Sequence, residues 1–466
     1  MNTRFLVRAI LAAASLAAVN ASAADLKEVY TRALTSDPLI READANRLAT
    51  RESKPQAVAS LLPQIAANAS ELKNESVGSQ TVIDIDEVDG EVTIGSVERE
   101  TKGTRQVWNV ELRQSIFRWQ NWAELKRSDV EGAQAEAEYV VAQQDLIVRT
   151  AEAYFNVLAA RDTLEAAQAA HDAIGRQLEQ SEKRFEVGLI AVTDVQDAKA
   201  AYDSATAALI QGKRNLANSG ELLRELTGDA WDALDKPGND MPLAGPDPAS
   251  PEDWVKLAMD QNARLTASRL AADVTRQVVN IERGGYFPEI DFIVTRGDFD
   301  DDGNFTDGGG TTFPNDADSE DTTYGVQVTL PIFTGGATTS RVRQAQYRNI
   351  AARERLERTV RETERSTRDA YLGVNSEVAR VQSLKQAVES AQTALQATEA
   401  GYEVGTRTSV DVLQARQRLF QSQTDYARSR YDYLLNVLRL QQAAGTLDNE
   451  GLDDINALLT ENVTVR

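Results

Sequence analysis

The 466-residue chain contains no cysteine and a single histidine. The first absence excludes disulfides, thiolate metal sites, a cysteine nucleophile and the lipid-bearing cysteine of a bacterial lipoprotein. No window after the N-terminus approaches 18 uninterrupted apolar residues, so a membrane-spanning helix is not expected. Entry into a membrane would have to be made by β-strands, whose signal per segment is far weaker. Aromatic residues make up only 6% of the chain, which suits long, closely packed helices better than a bulky globular interior. Proline is absent from Gln64 to Lys236 and again after Pro331. Two long helix-permissive stretches result. There is no G-x-S-x-G, no phosphate loop and no second histidine, so no catalytic constellation and no cofactor site is expected.

The N-terminus reads as a secretory signal over residues 1–23, with Arg4 and Arg8 before an apolar core and Ala21-Ser22-Ala23 as a cleavage motif. Lys and Arg total 50 against 72 acids, a net −22 that becomes −24 once Arg4 and Arg8 are removed. Such a surface repels nucleic acid and favours cationic partners.

The middle of the chain is punctuated by Pro237, Pro242, Pro246, Pro248 and Pro251. This linker, 237–251, separates two halves, 24–236 and 252–445, with a C-terminal segment at 446–466. The halves are related. ALTSDPLI from Ala33 lies 225 positions before AMDQNARL from Ala258, and Pro63 lies 225 before Pro288. Phe117 and Phe333 end similar QSIF and LPIF segments, and EVGLIAVTDV from Glu186 lies 217 positions before EVGTRTSVDV from Glu403. Near-constant offsets in one order indicate an internal duplication.

Each unit changes from helical to strand period and back. Trp108, Val110 and Leu112 alternate with polar residues, as do Tyr324, Val326 and Val328. Ile290, Phe292 and Val294 continue the pattern upstream, and Ile65, Ala67 and Ala69 do so more weakly. Four strands per chain are expected. Between them, Ser70–Thr104 holds nine acids against three bases, and Gly297–Thr323 holds nine acids and no base. These two segments read as solvated loops. Within the second, Asp298, Asp300 and Asp302 match the opening of a calcium loop, but Gly309 stands where the closing glutamate belongs, so a plain surface loop is the default.

A long helix follows each strand pair, from about Trp119 to Val187 and from about Thr338 to Val404. At 1.5 Å per residue each reaches roughly 100 Å. Leu146, Thr150, Ala153, Val157, Ala160, Leu164 and their successors trace a coiled-coil seam, repeated from Val381 to Tyr402. His171 lies on that seam, where a buried polar role outweighs a catalytic one. Gly188 and Gly405 suit left-handed C-caps, and Thr193 with Gln196 suggests a capping-box start for the returning helix. Each turn is the tip of a helical hairpin. Trp108, Phe117, Trp119, Tyr286, Phe287, Tyr324 and Phe333, near the strand ends, read as an aromatic girdle. Trp122 is expected to pack inside instead.

The signal segment, the duplicated helix–strand–strand–helix unit, the motifs RFEVGLIAVTDVQDA from Arg184 and AGYEVGTRTSVDVLQA from Ala400, and LPIFTGG from Leu330 together resemble the TolC family. The resemblance covers nearly the whole mature chain. It implies an α+β outer-membrane protein in which a homotrimer closes a twelve-stranded barrel, four strands per chain. A twelve-helix periplasmic tunnel with coiled-coil tips would continue from it. Four strands alone would leave open edges that lipid does not tolerate. The proline-rich middle and a short helix at Leu452–Leu459 would form a belt around the tunnel.

At the tips the resemblance implies a closing network in which Asp194 accepts hydrogen bonds from Tyr402 and Arg407, with Thr193 nearby. It also implies a ring of Asp411 carboxylates at the entrance, whose mutual repulsion raises their pKa. Gln414 stands where a second aspartate would double that ring. The surfaces around Gly188, Leu189, Gly405 and Thr406 would receive a periplasmic membrane-fusion adaptor, itself joined to an inner-membrane pump of RND, MFS or ABC type. The implied function is passive exit, for drug efflux or for type I secretion of proteins. A periplasmic coiled-coil scaffold outside the membrane is the alternative.

Overall fold

The structure is a computed structural model that describes residues 23–85, 90, 92–238, 240–307 and 310–465. Most of the expected signal segment, with Arg4, Arg8, Ala21 and Ser22, and the calcium-loop position Gly309 lie outside them. The chain packs as two units, one holding Ala49–Ala133 and Leu270–Glu354, the other built from the described part of Met1–Leu48, Gln134–Arg269 and Arg355–Arg466. Among the described residues no helix is long and apolar enough to cross a membrane.

The elements run α1 (Leu26–Ser36), α2 (Pro38–Arg51), α3 (Ser53–Ala59), β1 (Gln64–Ile85), β2 (Val92–Phe117), α4 (Trp119–Glu186), α5 (Val192–Thr227) and β3 (Ala233–Pro237). The second repeat follows as α6 (Pro251–Gln261), α7 (Ala263–Arg283), β4 (Glu289–Thr306), β5 (Thr312–Pro314), β6 (Ala317–Thr329), α8 (Ala337–Glu403) and α9 (Ser409–Ala444). The chain closes with α10 (Asn449–Asn456) and β7 (Leu459–Thr464). Thus the short C-terminal helix begins three residues earlier than expected, because Asp448 caps it by accepting from the Glu450 and Gly451 N–H groups. Leu459, read as its end, starts a strand instead.

The first unit is an antiparallel sheet ordered β1-β2-β4-β6, with β5 pairing the outer end of β4. Register places all four predicted alternations on one face. Ile65 pairs with Leu112, Leu112 with Val294, and Val294 with Tyr324. The pairs Ala67–Val110, Ala69–Trp108, Phe292–Val326 and Ile290–Val328 lie on the same face. On the opposite face stand Asn68, Asn109, Glu111, Arg113, Thr295 and Thr323, with Asn68 donating to Asn109 at 3.0 Å. Trp108 to Phe117 spans ten residues, the length of a tilted membrane strand. Aromatic residues flank this band. Tyr324 is 74% exposed, and Trp119 packs on Phe287 at 5.2 Å between ring centres. Trp122, expected inside, is 52% exposed in the chain.

The two acidic segments are not irregular loops. Strand β1 pairs with β2 without interruption from Gln64–Arg113 to Ile85–Val92. Strand β4 likewise continues through Asp298, Asp300 and Asp302 to Thr306. A hairpin satisfies its backbone groups across the ladder and needs no core beneath it. Polar composition therefore predicts solvation correctly but says nothing against strand. Cross-strand ion pairs such as Lys102–Glu75 at 3.0 Å suit that geometry. Strand β4 sets Asp298, Asp300 and Asp302 along an extended backbone, where the sequence suggests a loop. No metal-holding cluster occurs among the described residues.

The second unit holds α4 from Gln134 with α5, and α8 from Arg355 with α9, as two helical hairpins. Its core gathers Tyr154, Phe155, Leu158, Leu434 and Leu438, all under 2% exposed. Strands β3 and β7, unforeseen in the sequence, pair antiparallel beside it, and the Tyr154 hydroxyl donates to the Ala24 and Asp235 carbonyls at 3.0 and 2.6 Å. His171 is half-buried on the seam, packed on Tyr202 at 4.8 Å and beside Asp172. That is the structural role expected for it.

Candidate functional site

Both hairpins turn on glycine. Gly188 and Gly405 take φ of +76° and +78°, a left-handed conformation that a Cβ penalises. In each tip the following N–H reaches back five residues, Leu189 to the Arg184 carbonyl and Thr406 to the Gly401 carbonyl, both at 2.8 Å. These are Schellman closures. They leave the tip side chains outside, with Leu189 and Val404 73% and 75% exposed.

The two returning helices begin differently. Helix α9 has a complete capping box: Thr408 Oγ1 accepts from the Asp411 N–H at 3.2 Å, and Asp411 Oδ2 accepts from the Thr408 N–H at 2.9 Å. The Thr408 hydroxyl also donates to that carboxylate at 2.9 Å. These bonds, the backbone N–H foremost, hold the Asp411 carboxyl below its ordinary range within the chain. Helix α5 starts at Val192, before the predicted Thr193–Gln196 box. Its N-cap is Ala191, which has no side-chain acceptor, so only the Asp194 half of a box forms, with Oδ2 accepting from the Ala191 N–H at 3.3 Å. An acid at the third helical position reaches back over the helix start even where the cap residue is apolar.

Packing ties the tips together. Tyr402 lies against a small core of Leu395, Val412, Ala415 and Leu419. The Arg184 guanidinium sits 5.0 Å from the Tyr402 ring centre, joining first tip to second. Arg416 donates to Glu399 at 2.6 Å and pins α8 to α9. Gly401 allows the return: a Cβ there would come within 2.8 Å of Arg407 Cγ.

Of the predicted network, Thr193 and Arg407 are exposed, Asp194 is half-buried and Tyr402 is partly buried. Among the described residues no hydrogen bond joins Asp194 to Tyr402 or Arg407 within the chain. The Tyr402 hydroxyl is buried and has no partner. Asp411 is half-buried and Gln414 exposed one turn further on. Arg184, Glu399 and Arg416 escaped the sequence reading. Arg184 opens the first tip motif, so its place opposite Tyr402 was within reach.

A sheet with one apolar face, open at both edges and drawn from the same chain as helices some 100 Å long, defines an outer-membrane channel with a long helical portion. Residues 29–229 and 254–446 match the model of the outer membrane efflux protein family, and the chain belongs to that family. The outer membrane protein TolC of Vibrio cholerae serotype O1 is 35% identical over 435 residues, 93% of this chain and 94% of that protein. The alkaline protease secretion protein AprF of Pseudomonas aeruginosa is 27% identical over 440 residues, 94% of this chain and 88% of that protein. The crystal structure of the Campylobacter jejuni CmeC outer membrane channel matches with a TM-score of 0.72 at 17% identity, covering 93% of this chain and 90% of that chain. The protein is therefore an outer-membrane exit duct of the kind that serves efflux and type I secretion, with a large periplasmic portion. Family members are channels that work with adaptor and pump partners. This sets aside the scaffold alternative.

Proposed function

We propose that three copies close the barrel and that the tips form its shut periplasmic entrance, sealed by Asp194, Tyr402 and Arg407. Strand β1 pairs only with β2, and β6 only with β4, among the described residues. Each copy thus offers two unpaired edges, and closure with neighbours is how a membrane sheet satisfies them. The observation that carries the gate is the Tyr402 hydroxyl. A buried hydroxyl without a partner is rare and costs about 1–3 kcal/mol. Asp194 spends only a long bond on Ala191, so its remaining acceptor sites are available to Tyr402 and Arg407 once the tips of three chains converge. Three Asp411 carboxylates would then gather at the entrance, each held down by Thr408 and pushed up by its neighbours. Gln414 keeps that ring single.

The exposed Leu189 and Val404 beside Gly188 and Gly405 offer apolar grips for the helical hairpins of a periplasmic adaptor, with Thr406 at the rim. An inner-membrane pump of RND, MFS or ABC type would load the duct. Export is passive here, without cofactor or catalysis. Tyr402→Phe with Arg407→Ser removes both donors to Asp194. Reconstituted in planar bilayers, the double variant should show higher single-channel conductance than the parent. An unchanged conductance would place the restriction elsewhere and withdraw these residues.

A further inference from the structure

Beyond the membrane band, β2 and β4 keep their register, so side chains there still divide between the outer and the lumenal face. Most of the acids fall on one side. Glu71, Glu75, Glu98, Glu100, Asp298, Asp300, Asp302, Asp318 and Glu320 share the outer face with Trp108. Phe299 and Phe305, with Phe313 paired opposite Phe305, share the lumenal face with Asn109 and Glu111. Between those phenylalanines the lumenal face holds the Arg105–Asp301 pair and then Gly103 opposite Gly303, where an added Cβ at Gly103 would lie 3.1 Å from the Gly303 Cα.

The rings are held in place. Phe305 and Phe313 stack at 5.1 Å with planes 23° apart. The Arg99 guanidinium lies 3.9 Å above the Phe305 ring centre, a cation–π cap. Arg105 lies 5.4 Å from the Phe299 ring centre while donating to Asp301 at 2.7 Å. The chain between β5 and β6 fastens onto the same place, with the Asn315 N–H donating to the Gly303 carbonyl at 2.7 Å.

We propose that Phe299, Phe305 and Phe313 form a second constriction, an aromatic collar at the outer mouth that selects what leaves or enters by size and shape. Eight strands leave a barrel just filled by side chains, and about sixteen leave a water channel. At twelve, the size of the inward residues decides the bore. Below the collar β4 and β6 turn Thr295, Gly297, Thr323 and Gly325 inward, with Asp321 and Ile293, while β2 turns Asn109, Glu111 and Arg113 inward. Six phenyl rings, Phe305 and Phe313 from three chains, then stand in one tier, and the three of Phe299 form a second tier about 20 Å further in along β4. The arginines at the collar are engaged, Arg99 with the Phe305 ring and Arg105 with the Phe299 ring and Asp301, so it filters bulk rather than charge. It rests on the trimeric barrel and outward orientation proposed above, and its position is independent of the tip gate.

The cysteine-free chain makes the test direct. Thr295→Cys, lumenal and below the collar, and Gly310→Cys, in the exposed turn, are each labelled on intact cells. The probes are a small charged methanethiosulfonate and a polyethylene-glycol maleimide. The small reagent should reach both thiols. The large one should modify Thr295→Cys slower than Gly310→Cys by about an order of magnitude, as expected of a hydrophobic constriction. Replacing the three phenylalanines by serine should abolish that difference. Phe305→Leu with Phe313→Leu, which preserves the packing, should relieve it only in part. Equal rates in the parent, or exclusion that survives the serine variant while it runs as a trimer in detergent, would overturn the collar. Silence of Gly310→Cys to both reagents would instead overturn the outward orientation, and the proposal with it.

Discussion

Asp162 on α4 and Tyr431 on α9 join the two repeats through one hydrogen bond, Tyr431 Oη donating to Asp162 Oδ2 at 2.6 Å. Tyr431 is buried and stacks on Phe155 at 5.7 Å. Burial pushes the Asp162 carboxyl above its ordinary range, while the Tyr431 hydroxyl and nearby Lys236 and Arg430 pull it back. Tyr431→Phe keeps the stacking and removes only the donor. A hydrogen bond to a charged group contributes about 1.5–3 kcal/mol. Whole-molecule melting would hardly register the loss, because unfolding entropy near 2 cal/mol/K per residue over 466 residues makes 2 kcal/mol a shift of about 2 °C. Local opening is the better readout. The same 2 kcal/mol accelerates amide exchange in α9 about thirty-fold.

The pH dependence has a definite sign. Because folding raises this carboxyl's pKa, the folded state holds the proton more tightly than the unfolded chain. The contribution is therefore full below the ordinary carboxylate range and is lost as pH climbs through the raised value. Tyr431→Phe should push that value higher still and deepen the loss at neutral pH. Asp162→Asn keeps an acceptor for Tyr431 without the buried charge. It should leave α9 protection nearly intact and flat with pH, after correction for intrinsic exchange. Hydrogen-exchange mass spectrometry on peptides covering α9 checks each variant. A Tyr431→Phe change below about threefold at neutral pH, or an unaltered pH profile in Asp162→Asn, would refute the reasoning.

Two further outcomes follow from the tips and the sheet. Thr408→Ala removes one half of the α9 capping box and should destabilise that tip by about 1 kcal/mol, whereas Ala191→Ser supplies the acceptor α5 lacks and should stabilise its start by about 0.5–1 kcal/mol. Exchange rates at the two helix starts, moving in opposite directions, are the check. An epitope inserted at Gly310, an exposed turn with φ +82°, should be reached by antibody on intact cells, and labelling only after the outer membrane is broken would invert the orientation.

Much of the fold was written in period and punctuation. Alternation at Trp108–Leu112 and Tyr324–Val328 marked the strands because one of their faces is apolar, and that contrast is what a period-2 signal detects. Beyond Trp108 the same strands run on with most of their acids outside and Thr, Gly and Phe inside, beside Arg99, Arg105 and Asp301. The alternation persists there, but mostly between polar residues and glycine, which a hydrophobicity pattern scores alike, so strand reads as loop. Phe299 and Phe305 sit at even spacing within the acids and carried the missing signal. Strands β3 and β7 stayed hidden for another reason: five and six residues long, they are specified by a partner more than 220 positions away, which no local pattern encodes. At the tips, glycine announced both turns because only a left-handed residue closes them. The threonine at 193 misplaced the start of α5, since side-chain chemistry at a candidate N-cap was weighed without the acid that follows it. Asp194 serves that start from inside the helix, and Asp411 does the same for α9. The residue that would latch the entrance is thus also the one that begins its helix. Substituting Asp194 would disturb the tip whether or not it latches anything. Removing the donors at Tyr402 and Arg407 keeps Asp194 and every capping-box bond in place, and so separates the two roles.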